Sequence, residues 1–85
     1  MDEDTEADRF FEELRHAVDQ QLEAPRTAYV RATLDRLLAA GLTDEEAREA
    51  IARCLAVESD RMFRTRRPFD EDAYRTSLEM ISPEG

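Results

Sequence analysis

The chain contains no lysine, no asparagine and no tryptophan, and it has a single histidine and a single cysteine. Cys54 alone cannot close an intrachain disulfide, so the fold has to stand without a covalent staple. The expectation is a cytoplasmic protein with a reduced thiol in or near its core. Two glycines and three prolines in 85 residues leave few places for the backbone to break. Pro25, Pro68 and Pro83 fall between periodic stretches, as they do between the helices of a bundle. No apolar run approaches a membrane span, and the N-terminus is acidic, so neither a signal peptide nor a membrane partner is expected. No segment alternates with period two for long enough to form a strand.

What the chain does have is charge. Charged residues make up 39% and hydrophobic residues 41%, with a formal net charge of −9. That is too apolar for a disordered chain, and it fits a small helical body with solvated outer faces. At this length one domain is expected over residues 1–85, with 1–4 and 82–85 frayed. Its core barely outweighs the entropy of ordering the chain. The acidic field repels phosphates and anionic lipid alike, so direct nucleic-acid binding is not expected. All twelve basic residues are arginine. With the many alanines, this reads as the codon usage of a GC-rich bacterial genome.

The pattern predicts an all-α, compact bundle of four helices, three main ones and a short C-terminal one. The first runs from about Thr5 to Glu23, with Phe10, Phe11, Leu14, Ala17, Val18 and Leu22 as its apolar stripe. After Ala24-Pro25-Arg26, a second helix from Thr27 to Ala40 turns Val30, Leu34, Leu37 and Leu38 to one side. Gly41 can take the left-handed conformation that closes this helix, and Leu42 can fold back on its last turn. Thr43 and Glu46 then form a capping box for a third helix, Asp44 to about Arg66. Its inward residues are Ala47, Ala50, Ile51, Cys54, Leu55 and Met62. The helix stops there because Arg67 precedes Pro68. Asp70 caps the fourth helix, with Phe69 and Tyr74 placed as a hydrophobic staple and Leu78 and Ile81 continuing the stripe.

Several constellations invite a functional reading. Glu13-x-x-His16 has the spacing of carboxylate-bridged metal bundles, but it occurs once and points away from the stripe. No metal site and no cofactor follow from it. Glu58 lies on the seam of the third helix, where a carboxylate must be paired, protonated or at the edge of the core. Gln21 sits similarly on the first helix. One reading is a polar pocket of Glu58, Gln21 and a nearby arginine; the other is a structural Arg–Glu pair. Arg61, Phe63, Arg64 and Arg67 form the basic patch of the chain, with an aromatic among the arginines. They can anchor a partner, or they can cap the helix and pair with surplus acids. No nucleophile, base and oxyanion donor assemble, so no enzyme is read. The corner at Gly41 is shared with helix-turn-helix DNA readers and ubiquitin-associated domains. In the first case Asp44-Glu45-Glu46 would meet the phosphates, and in the second the third helix is too long.

Gln20-Gln21-Leu22, the segment Leu34 to Leu42, Glu45-Glu46-Ala47 and the segment Arg67 to Tyr74 resemble a group of small bacterial helical proteins filed as a domain of unknown function. The resemblance spans roughly residues 11 to 80. It implies two histidine positions, held here by Arg15 and Glu49, with Asp19 as the matching acid. An Arg15–Glu49 salt bridge would then stand in for any metal chemistry of the relatives. The reading that results is a non-enzymatic interaction module working through protein contacts, with a second copy of itself among the candidate partners. Phe63, Phe11 and Tyr29 are the candidate anchors. The rival is a ligand- or metal-binding protein centred on Glu58, Gln21 and Asp19.

Overall fold

The computed structural model describes residues 2–83, with side chains from Arg9 onward. It is all-α: α1 (Asp2–Glu23), a 3-10 turn (Pro25–Thr27), α2 (Ala28–Ala39), α3 (Asp44–Thr65) and α4 (Glu71–Glu79). Helix α1 starts three residues before the expected Thr5. The fraying expected of residues 1–4 and 82–85 concerns in part Met1, Glu84 and Gly85, which lie outside the described residues. Among the described residues there is no strand, and no helix is long and apolar enough to cross a membrane.

The corner between α2 and α3 follows its residues closely. Gly41 has φ +108°, the Gly41 amide donates to the Leu38 carbonyl, and the Leu42 amide reaches back to Leu37. Both hydrogen bonds belong to a Schellman closure, which satisfies carbonyls that the helix end leaves free. Two residues later Thr43 opens α3. Its hydroxyl accepts from the Glu46 amide at 3.1 Å, and its own amide donates to Glu46 Oε1 at 2.9 Å. Asp70 caps α4 by accepting from the Ala73 amide at 3.0 Å. The staple forms as well, with the Phe69 and Tyr74 rings 5.5 Å apart and 71° inclined. The far end of α4 has no basic residue of its own. Arg36 of α2 supplies the donors, reaching the Leu78 carbonyl at 2.9 Å and the Ile81 carbonyl at 3.3 Å.

The core is made of Leu14, Val18 and Leu22 from α1, Val30, Leu34 and Leu37 from α2, Ala47, Ile51, Ala52 and Leu55 from α3, and Tyr74 and Leu78 from α4. Two expected core positions are displaced. Phe10 is 48% exposed because it lies about 80° around the helix from Val18. Leu38 lies one step of about 100° from the buried Leu37 and is partly exposed. Thr33 is buried in its stead, its hydroxyl donating to the Tyr29 carbonyl at 2.9 Å. On α3, Ala52 is fully buried, whereas Ala50, Cys54 and Met62 are half-buried.

The α2–α3 corner makes two measurable demands. Thr43→Ala removes one acceptor for the orphan amides of α3 and is expected to cost about 1 kcal/mol in chemical denaturation. Hydrogen bonding from the Thr43 backbone and then its hydroxyl holds the Glu46 carboxyl below its ordinary value of 4.5. A depressed acid stabilises the fold above its unfolded pKa, and that contribution fades as pH falls through the folded value. Stability profiles of the wild type and Glu46→Gln should therefore run parallel near neutrality and converge in acid below about pH 4.5.

Candidate functional site

A cleft of about 590 Å³ opens at the C-terminal end of α3. Backbone geometry builds it. Arg66 ends the helix with φ +56°, a left-handed conformation that a side chain disfavours by about 1–2 kcal/mol. The reversal sends Arg67 and Pro68 back along the cleft wall, and Asp70 completes the rim before α4 begins. Met62 and Thr65, on the last turns of α3, form the opposite side. Thr65 is occupied locally, donating to the Arg61 carbonyl at 2.8 Å.

Glu58 lines this cleft and is only 2% exposed. Nη1 of Arg61, one turn on, approaches its Oε1 at 3.4 Å as an ion pair. That approach lacks hydrogen-bond geometry, and Oε1 is left buried with no donor. The carboxylate neighbours the half-buried Cys54, whose thiol is pushed up first by burial and then by the charge of Glu58. Cys54 is thus held as the unreactive thiol. Arg61 itself is half exposed.

The remaining arginines of the patch differ in their engagement. Arg64 reaches back one turn to Asp60 at 2.9 Å. Arg67 has no ion-pair partner among the described residues. Among those residues, the arginines of the run leave the end carbonyls of α3 uncapped, so ion pairing accounts for Arg61 and Arg64 only. Phe63 stands 72% exposed on the same stretch.

Gln21 and Asp19 lie outside this cleft. The Gln21 side chain accepts from the Tyr74 hydroxyl at 2.7 Å, and its carbonyl accepts from Thr27 at 2.7 Å, so it ties α1 to α4 and to the 3-10 turn. Asp19 pairs with Arg48, which also binds Asp44 at 2.7 Å. Arg15 pairs with Glu45 at 3.6 Å, one turn before the expected Glu49, which is held by Arg53 at 3.0 Å. The reason is local: Arg53 follows Glu49 at the helical spacing that brings side chains together. Glu13 and His16 are exposed, with the His16 ring 3.5 Å from the Gln20 amide. No three His, Cys, Asp or Glu side chains converge among the described residues.

Two of the aromatic anchors named from sequence are already engaged. Phe11 packs against the core. Tyr29 donates to Glu71 at 3.0 Å, meets the Tyr74 ring edge-on at 6.1 Å, and lies beneath the Arg75 guanidinium at 4.9 Å. Burial and the Glu71 contact push its phenol up to about 12. Sequence reading missed the contribution of Thr65, Pro68 and Asp70 to the cleft. The signal for them was the Arg67-Pro68 break, which was legible as a helix stop but not as a wall.

Compared with protein-family models, with curated proteins and with solved structures, the chain matches none.

The cleft exacts a testable cost. Glu58→Met replaces a poorly solvated carboxylate by an apolar side chain and leaves only the half-exposed Arg61 behind. It is expected to raise stability by about 1 kcal/mol or more. Arg61→Ala, which strands the carboxylate, should lower it by a similar amount. Paired denaturation curves for the two variants read both signs.

Proposed function

We propose that this chain is a small, non-enzymatic helical interaction module that works through protein contacts, with a second copy of itself as the first partner to test. The observation that carries the reading is Phe63, 72% exposed at the end of α3, where Arg67 is without an ion-pair partner among the described residues. Phenylalanine and arginine are both enriched at protein interfaces relative to the rest of the surface. The small core of the described residues supports it, since a small helical domain gains by completing its burial across an interface. A cytoplasmic, bacterial setting and kinship with small bacterial helical proteins belong to the same proposal. They rest on the lone thiol, the arginine-only basic set and the turn and cap residues.

A second reading, a small-ligand site at Glu58, is favoured by the donor-less Oε1 at the base of the cleft. Arg61 and Arg67 then take the places that the sequence assigned to Gln21 and Asp19.

Native mass spectrometry and sedimentation across a wide concentration range test the first reading. The expected result is a concentration-dependent dimer that Phe63→Ala weakens by about tenfold or more. A strict monomer at the highest soluble concentration would overturn self-association.

A further inference from the structure

The cleft holds an unusual balance of charge. Its four ionic side chains are two acids, Glu58 and Asp70, and two bases, Arg61 and Arg67. A purely anionic ligand such as phosphate would meet the buried carboxylate. A metal ion would meet the guanidinium groups, and no three ligating side chains converge on it among the described residues. A bare cation would satisfy Glu58 but place its charge beside two arginines. Only a dipolar ligand answers both signs.

The positions of the groups say which end goes where. Glu58 offers a buried oxygen that no donor satisfies. Leaving such an acceptor unpaired is costly, and a charged donor gains most there. Asp70 is less available because one of its oxygens already caps α4. Arg67 presents a guanidinium fork without an ion-pair partner among the described residues, a shape that suits a carboxylate. Arg61, half exposed and held to Glu58 only at 3.4 Å, can turn to the same carboxylate. Met62 and Pro68 supply apolar lining to the same cleft. The volume, about 590 Å³, falls within the range of small-molecule sites.

We infer that the cleft binds a small zwitterion of the α-amino-acid type, its ammonium on Glu58 and its carboxylate on Arg67 and Arg61. This rests on the second reading above, that Glu58 marks a ligand site, and adds the chemical class of the ligand. The apolar walls make an apolar side chain the first to try.

The test is a titration of the isotope-labelled protein, read by amide chemical shifts. The probes are L-leucine, L-valine, L-methionine and L-phenylalanine, with 3-methylbutylamine and 4-methylpentanoate as leucine lacking one end each. The expected result is saturable shifts along the last turns of α3 with at least one amino acid. For leucine, each truncated analogue should bind weaker by about tenfold or more. Glu58→Gln, nearly isosteric, should lose a similar factor for the amino acid. Arg67→Ala, at an exposed position, should reduce the preference for leucine over the amine, with Arg61 left to hold the carboxylate. If the amine binds as tightly as the amino acid, the zwitterion is overturned while a ligand site at Glu58 stands. If no probe produces saturable shifts, both fall. Thermal melts of the two variants establish that any loss comes from a folded protein.

Discussion

Tyr74 is the side chain on which this arrangement depends. Helix α4 has nine residues, too few to persist alone in water, so it exists because something docks it. Tyr74 is fully buried, its hydroxyl donates to Gln21 on α1, and its ring meets Tyr29 of α2 and Phe69 before α4 edge-on. Burial first, then the neighbouring Tyr29 and Cys54, keeps the phenol protonated well above its ordinary range. One residue thereby joins α1, α2 and α4. The seating of α4 in turn fixes where Pro68 and Asp70 stand, and therefore whether a cleft exists beside Glu58.

The surface follows a different economy. Most acids of the described residues near an arginine are paired across a single helical turn, as Asp44 with Arg48, Glu49 with Arg53 and Asp60 with Arg64. Exposed pairs of this kind contribute little individually, typically below about 1 kcal/mol. Their effect is to keep a strongly acidic chain from repelling itself. Glu58 is the departure: an acid taken out of water with an incomplete partner. Together with the left-handed Arg66 nearby, it concentrates unfavourable terms at one end of α3. Local costs of this kind persist when the surrounding structure overdetermines them, and they often mark the working part of a protein.

Much of the fold was legible because its signals are local. The Gly41 closure, the Thr43–Glu46 box and the Asp70 cap depend on residues within a turn of one another, and each forms as its residues imply. Core positions were less secure at the edges of each stripe. Phe10 and Leu38 sit where a rotation of about 80–100° separates inside from outside, and periodicity alone does not resolve that. The candidate site was half visible. Glu58 stands out as an acid on an apolar seam, but Gln21 and Asp19 do not line its cleft. Gln21 was taken by Tyr74, a partner 53 residues away, and Asp19 by Arg48 on α3.

By itself the sequence determined four helices, the closure of α2, the N-caps of α3 and α4, and the tight turn between α2 and α3, because each rests on short-range backbone chemistry that neighbouring residues supply. Which faces close on one another was decided only in three dimensions. Tertiary packing buried Glu58, lent Arg36 to the end of α4, and folded Pro68 into a wall. The physical reason is that burial and pairing between distant residues depend on how helices rotate and dock, which no local signal in the chain encodes.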